Sequence, residues 1–291
     1  LQAMLDRLLW EEPDSLLSKG LPSALLGLRT VAAGDAADAK GLQRGLRHLA
    51  ESDDPEVLDT LDALLQSDSP EALVDAETAA LALSLIWGKR RPSLRAVLDA
   101  LRANPHWSAD VRDVVEWRRS RLALGPGRRF SHLSGPLRLH ARYTREQILI
   151  ALGFWTFETA SFFNAGVLQV PSRHVDAFFV TLDKDERLYS PDTMYEDYAL
   201  SASEFHWQTQ GATGVDTPVG QRYLRHREMG YTPLLFVRRA NRQANGLTEP
   251  FRYLGPLDYV RHEGNKPISI VWRLLHPMPA AVYALAHRPM I

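Results

Sequence analysis

Two neighbouring stretches of the sequence hold the densest group of side chains able to recognise a ligand. They read TMYEDY at 193–198 and FHWQTQ at 205–210. Successive side chains of a strand point to opposite faces, so the second stretch predicts one aromatic face and one face of imidazole and amide groups. A pocket for a planar base needs a ring that stacks on the base and polar groups for its hydrogen-bonding edge. The alternative interpretation is that the aromatic residues are core and the glutamines are exposed.

Basic side chains gather at two further places. A short predicted helix at 218–227 carries Arg222 and Arg225, whereas Arg261 and Lys266 flank a Gly-Asn turn. Each of these groups could donate charge-assisted hydrogen bonds to phosphate oxygens. Each could equally be solvated surface.

Composition and motifs exclude several kinds of catalytic site. The 291 residues contain no Cys, which excludes a disulfide scaffold, a thiolate metal site and a cysteine nucleophile. No GxxxxGK, GxGxxG or GxSxG motif occurs. Asp183 and Lys184 are adjacent and would face opposite sides of a strand, unlike a magnesium nuclease site, and the HEG at 262–264 lacks a second His. We therefore expect a binding module with no catalytic residue, metal or cofactor of its own.

The elements that position these residues fall into two parts. Up to about residue 124, apolar residues spaced by three and four predict helices only. Capping residues predict helix starts at 52–56, 67–71, 91–93 and 107–110, and the apolar run at 79–87 predicts a buried central helix. The alternating Gly and Pro residues at 124–129 predict a domain boundary.

Beyond that break the pattern changes from helices to short strands. The TREQ at 144–147 is a capping box that predicts a short helix. Polar–apolar alternation predicts strands at 167–170, 176–182, 195–200, 205–209, 234–238, 251–253, 258–262 and 268–274. This order favours a curved sheet or small barrel, an architecture whose mouth often holds a ligand.

The formal net charge of −1 conceals two opposite halves. Residues 1–88 carry 6 basic and 16 acidic side chains, whereas residues 89–291 carry 28 basic and 19 acidic ones. Such asymmetry is typical of a part that binds a polyanion attached to a part that does not.

Several separated motifs resemble one family. They are TLDK at 181–184, MYEDY at 194–198, FHWQTQ at 205–210, LFVR at 235–238 and YLGPLDYVRHEG at 253–264. Together they resemble the carboxyl-terminal domain of SauUSI-type modification-dependent (type IV) restriction enzymes, over about residues 137–280. In that family a phospholipase-D-like nuclease and a superfamily 2 helicase precede a helical connecting region and this domain.

The resemblance implies an α+β chain with an N-terminal helical bundle followed by an SRA/PUA-like curved β-barrel domain with flanking helices. The expected domains are a helical connector at 1–124 and a recognition domain at 137–291. The resemblance further implies that the protein binds double-stranded DNA containing 5-methylcytosine or 5-hydroxymethylcytosine and flips the modified base into an aromatic pocket. The expected location is the bacterial cytoplasm.

Within this resemblance we assign candidate contacts to individual residues. The candidates for stacking or methyl contact are Tyr195, Tyr198, Phe205 and Trp207, and those for the base edge are Asp183, Asp197, His206 and Gln208. The candidates for phosphate contact are Arg222, Arg225, Arg261 and Lys266. Because strand side chains alternate, part of each group must face away from the base.

The nuclease and helicase motifs of the family are absent from this sequence. Cleavage and ATP hydrolysis, with their Mg and ATP, are therefore expected on other domains of a longer polypeptide, consistent with a chain that begins at Leu1 rather than Met. One alternative is a protein-interaction or regulatory module of a helicase–nuclease without base-specific readout. An RNA-binding protein and, less favoured, a metal-dependent nuclease are further alternatives.

Overall fold

A computed structural model describes residues 36–66, 75–87, 92–122, 128–159, 161–183, 197–243 and 246–287. Its contacts divide the chain into two compact units. The helical unit falls within Leu1–Pro126, Thr144–Phe162 and Arg242–Thr248, and the sheet unit within Gly127–Tyr143, Phe163–Asn241 and Glu249–Ile291. The chain is therefore a mixed α+β protein, as predicted in the coarse sense. Among the described residues, no helix is both long and apolar enough to cross a membrane.

Helices occur in both units. In chain order they are α1 (Ala36–Glu51), α2 (Pro55–Gln66), α3 (Ala76–Ile86), α4 (Leu94–Ala103), α5 (Pro105–Arg119), α6 (Ser131–Ser134), α7 (Arg145–Ala151), α8 (Pro218–Leu224) and α9 (Ala280–Ala286).

Two predicted helix starts in the helical unit are confirmed by their caps. At the start of α2, Asp54 Oδ1 accepts a hydrogen bond from the Glu56 backbone N–H at 3.0 Å. At the start of α4, Ser93 Oγ accepts from the Ala96 N–H at 3.2 Å. Each cap satisfies a backbone donor that the first helical turn leaves unpaired. The start predicted at 67–71 lies outside the described residues.

The helix start predicted at 107–110 is wrong. Asn104 caps α5 earlier, because its Oδ1 accepts from the backbone N–H groups of His106 and Trp107 at 3.1 and 3.2 Å. Asn before Pro105 is a strong start signal, since Pro has no N–H to satisfy at the first helical position.

The central helix predicted at 79–87 is confirmed as α3, in which every residue from Thr78 to Ile86 is buried. The predicted capping box is also confirmed at α7, between Thr144 and Gln147. Gln147 is buried and its Nε2 donates to the Leu81 carbonyl oxygen at 3.3 Å, which ties α7 to α3. Contacts therefore group α7 with the helical unit, although it follows the break at 124–129 in the sequence.

The described part of the sheet unit contains eight strands. They are β1 (Arg142–Tyr143), β2 (Val167–Val170), β3 (Val175–Thr181), β4 (Tyr198–Ser201), β5 (Glu204–Gln208), β6 (Thr232–Arg238), β7 (Phe251–Glu263) and β8 (Ser269–Leu274). Their order is β2-β3-β6-β7-β8-β5-β4, with β1 paired to β7. The β3–β6 pair is parallel and the other pairs are antiparallel. The described strands thus form an open mixed sheet that ends at β2 and β4.

The runs predicted as separate strands at 251–253 and 258–262 form the single long strand β7. Register shifts in its pairing leave Leu254 and Val260 as bulges. Gly255, with a φ of 92°, adopts a backbone conformation that other residues rarely take. Bulges bend a strand without ending it, which explains why Gly255 and Pro256 do not form a turn here.

One apolar core lies inside the curve of this sheet. Phe178 of β3 stacks on Trp207 of β5 with ring centroids 4.3 Å apart and an interplanar angle of 3°. Because β6, β7 and β8 lie between these two strands in the sheet order, the sheet must curve strongly to bring the rings together. Trp272 and Tyr223 complete the aromatic centre of the core.

Candidate nucleic-acid interface

Strands β4, β5, β8 and β7 turn one face to the core and the opposite face away from it. On β5, Phe205 and Trp207 belong to the core, so Glu204, His206 and Gln208 point the other way. We call this second side the outer face. It is defined by Tyr198, Glu204, His206, Gln208, Asp258, Arg261, Glu263, Ser269, Val271 and Arg273.

A row of side chains crosses the outer face. The strand register places Tyr198 opposite His206, His206 opposite Val271, and Val271 opposite Arg261. The Tyr198 and His206 rings are half-buried and stack, with centroids 4.7 Å apart and an interplanar angle of 21°. Side chains directly opposite on one face lie about 5 Å apart at Cβ. The row therefore joins a flat ring surface to a guanidinium group.

Amide and carboxylate groups form the adjoining part of the outer face. Asp197 Oδ1 accepts a hydrogen bond from the Gln208 backbone N–H at 3.1 Å. Gln208 Nε2 donates to Ser269 Oγ at 3.2 Å, across to the next strand. These bonds fix polar groups beside the Tyr198–His206 stack, where the edge of a stacked base would meet them.

The β7–β8 hairpin presents the exposed cations of this region, Arg261, Lys266 and Arg273. The Asn265 side-chain oxygen accepts from the Val215 N–H at 2.8 Å, which holds the hairpin turn against the loop before α8. A Cβ at Gly214 would lie only 2.6 Å from Lys266 Cε, so the lysine stem passes directly over that glycine. Contacts with the loop before α8 therefore hold the turn in a defined position.

A match to a known family covers most of the sheet unit together with residues 144–162 and 242–248 of the helical unit. Residues 137–286, more than half of the 291-residue chain, match the domain of unknown function DUF3427. The chain belongs to the DUF3427 family. No curated protein matches the chain.

Within the DUF3427 domain, three predicted base-contact residues lie away from the outer face. Phe205 is completely buried and Trp207 is 5% exposed, both in the core behind the Tyr198–His206 stack. Asp183 follows β3 and forms an exposed ion pair with Arg239 at 3.1 Å. Phe205 and Trp207 therefore support the outer face from behind and offer little surface to a ligand.

The structure brings together Tyr198, Asp197, His206 and Gln208 from the predicted base contacts, and Arg261 joins them in the same row. Tyr195 lies outside the described residues.

Two predicted phosphate contacts have protein partners instead. Arg222 is 9% exposed and donates two hydrogen bonds to Asp176, at 2.8 and 3.0 Å. Burial raises the pKa of Asp176, while the hydrogen bonds and charge of Arg222 act in the opposite direction. Arg222 therefore joins α8 to β3 and has little surface for a phosphate. Arg225 is exposed and pairs with Glu228 within the same turn.

A second cationic group lies in the sheet unit, and its only sign in the sequence analysis is the Arg128-Arg129 pair. Arg128 lies over the Phe130 ring at 5.8 Å, and Phe130 contacts the His276 ring at 5.3 Å. Burial lowers the pKa of His140, and so do the nearby charges of Arg252 and His276. The available sequence signal was the segment 128–143, which contains four Arg and no Asp or Glu.

Among the described residues, no three His, Asp or Glu side chains are grouped so that they could hold a metal ion.

Proposed function

We propose that this chain is the DNA-binding target-recognition region of a modification-dependent restriction enzyme, and that it reads 5-methylcytosine or 5-hydroxymethylcytosine in double-stranded DNA. One observation carries the proposal. The half-buried Tyr198–His206 stack lies on the outer face, in one row with the buried Val271 and the exposed Arg261, and close to the amide of Gln208.

This arrangement suits a nucleic acid physically. A base stacked on an aromatic side chain gains roughly 1–3 kcal/mol. Extruding a base from a duplex costs a few kcal/mol, which stacking and phosphate contacts together can offset. The Tyr198–His206 ring surface supplies the stacking, while Arg261 and Lys266 supply charge for the phosphate contacts.

The resemblance to SauUSI-type enzymes supports the finer parts of the proposal. We assign the curved sheet to the SRA/PUA-like class, whose members recognise modified cytosine by base flipping. Helicase and nuclease domains of the same polypeptide would use ATP and Mg, and this chain by itself would not be an enzyme. The helical unit would connect those domains to the reader.

A protein-interaction module of a helicase–nuclease is the main alternative. A reader that contacts phosphates releases counterions, so the slope of log affinity against log salt should be about −0.9 for each neutralised phosphate. An interaction module should show no salt-dependent DNA binding. A salt titration of duplex binding by fluorescence anisotropy separates the two.

The role of the outer face is tested by Tyr198→Ala. We expect its affinity for a methylated duplex to fall about 10-fold, because one stacking ring is lost. Tyr283→Ala is the matched control, since Tyr283 in α9 also contacts a histidine ring, His287, with centroids 5.0 Å apart. We expect the control to bind like the wild type. Unchanged binding by Tyr198→Ala, or equal losses in both variants, would remove the outer face from the interface.

A further inference from the structure

The outer face carries basic and acidic side chains in nearly equal number. With the adjoining hairpin turn, the basic ones are Arg261, Lys266 and Arg273, and the acidic ones are Glu204, Asp258 and Glu263. The register places Arg273 between Glu204 and Asp258, and Asp258 also pairs with Arg227. Opposite charges that face each other across strands attract one another. A polyanion on the outer face therefore needs positive charge from a neighbouring part of the sheet unit.

The cationic group around Arg128 adjoins one end of the outer face. Its members, all in the sheet unit, are Arg128, His140, Arg252 and His276. His276 follows Arg273 by three residues, so their Cα atoms are at most about 11 Å apart. Arg261 and Arg273 are diagonal neighbours on β7 and β8, a relation that corresponds to about 7–8 Å. Each strand of DNA carries a phosphate for about every 3.4 Å of its axis, so these spacings cover only a few phosphates.

Backbone hydrogen bonds hold Arg128 in a defined position. The Leu139 N–H donates to the Arg128 carbonyl oxygen at 2.7 Å, which closes the loop between the two residues. The His140 N–H donates to the Tyr253 carbonyl oxygen of β7 at 2.7 Å, and the Arg252 guanidinium donates to the His140 carbonyl oxygen. Groups that are already in place lose less conformational entropy when a ligand binds.

The exposed Arg128 side chain lies among groups that disfavour further positive charge. Phe130 contacts both the Arg128 guanidinium and the His276 ring. Burial and the charge of Arg128 lower the pKa of His276, while burial and the charges of Arg252 and His276 lower the pKa of His140. Like charges held this close repel one another, and a bound anion would relieve that repulsion.

We infer that the cationic group around Arg128 holds a phosphate of the DNA backbone, to which the Arg128 guanidinium and a ring N–H of His276 donate hydrogen bonds. The inference rests on the proposed function and adds a contact to the backbone outside the outer face. Guanidinium–phosphate hydrogen bonds are charge-assisted and frequently bidentate. Such a contact positions the duplex and adds affinity, but it does not distinguish one base from another.

Arg128→Ala tests this contact. The full chain is titrated by fluorescence anisotropy with methylated and unmodified duplexes over a range of salt concentrations. We expect both affinities to fall about 10-fold at low salt, because a charge-assisted hydrogen bond is lost. The slope of log affinity against log salt should become shallower by about 0.9. The ratio of the two affinities should stay at the wild-type value, since a phosphate carries no sequence information.

The matched control is Arg121→Ala, because Arg121 is also exposed and lies over an aromatic ring, that of Trp117, at 4.8 Å. We expect this control to bind like the wild type. Arg128→Lys keeps the charge and should keep the wild-type slope. His276→Ala covers the case in which Arg128→Ala fails to fold, and it should lower both affinities about 5-fold because one hydrogen bond is lost.

Two negative results have different meanings. If the wild type binds DNA with a salt dependence and affinity that Arg128→Ala and His276→Ala leave unchanged, the cationic group is not part of the interface and the proposed function stands. If the wild type shows no salt-dependent binding of DNA, the proposed function itself is wrong.

A free phosphate ion is the other source of the same ligand chemistry. Melting temperatures of the wild type and of Arg128→Ala are therefore compared in sodium phosphate and in sodium chloride at equal ionic strength. We expect no rise that is specific to phosphate. A rise in phosphate that Arg128→Ala loses, together with unchanged DNA binding by that variant, would assign the site to a free phosphate and overturn the backbone contact.

Discussion

At the scale of single residues, Arg222 shows how burial decides what a basic side chain can do. It carries the same charge as Arg261, but it is almost enclosed and donates two hydrogen bonds to Asp176. Removing one member of a buried ion pair leaves the other charge without compensation, which is costly. Arg222 is therefore expected to contribute to the stability of the fold rather than to DNA binding.

Arg222→Ala should lower the free energy of unfolding of the sheet unit by about 3–5 kcal/mol. Arg225→Ala is the control, because its pair with Glu228 is exposed and should contribute less than about 1 kcal/mol. Denaturant titration measures both. A stable Arg222→Ala protein with a shallower salt dependence of DNA binding would show instead that Arg222 contacts a phosphate.

The alternation of residue types along β5 could be read from the sequence, but not which side would be open. The pattern separated Phe205 and Trp207 from His206 and Gln208, as the structure has them. Deciding that the aromatic side is core required the Phe178 ring, which comes from a strand four places away in the sheet. Long-range pairing of this kind leaves no local signal in the sequence.

At the scale of elements, the contact between α1 and α3 depends on a glycine. A Cβ at Gly45 would lie 2.5 Å from the Ile86 Cα atom, closer than real Cβ contacts allow. In an exposed helix, replacing Gly by Ala stabilises by up to about 1 kcal/mol. Here the steric conflict with the backbone of α3 should make the same replacement destabilising.

Gly45→Ala should destabilise the helical unit by about 1–3 kcal/mol, because backbone atoms of α3 must shift to admit a methyl group. Gly211→Ala serves as control, since nothing lies within 4 Å of the position of its Cβ. Thermal unfolding followed by circular dichroism compares the two. A raised melting temperature in Gly45→Ala would show that α1 and α3 are not in close contact.

The charge boundary seen in the sequence differs from the boundary between units. Arg119 lies in the basic half, yet it pairs with Asp59 at 2.6 Å and Asp62 at 2.9 Å inside the helical unit. Arg118 donates to the Ser52 carbonyl oxygen in the same unit. Part of the basic excess therefore neutralises acidic helices, which a count along the chain cannot reveal.

Other element-level features could be predicted because their signals are local. The capping box at Thr144 and the cap at Ser93 are short patterns, and both are confirmed. The His226 ring, which bonds the Tyr231 carbonyl oxygen just before β6 and the Tyr259 N–H in β7, had no such signal, because these residues are distant in the sequence.

At the scale of the whole molecule, the chain combines a helical unit with a sheet unit, and the DUF3427 match covers most of the sheet unit and part of the helical one. The groups suited to polyanion recognition that we identify, the outer face and the cationic group around Arg128, belong to the sheet unit. The central proposal is that this unit reads a modified cytosine in DNA.

That proposal is tested most directly by the affinities of the wild-type chain for two matched duplexes, methylated and unmodified, at low and at physiological salt. We predict that the methylated duplex binds roughly 5-fold more tightly, since one buried methyl group contributes about 1 kcal/mol. We also predict that both affinities fall as salt rises. Equal affinity for the two duplexes at both salt concentrations would contradict the proposal.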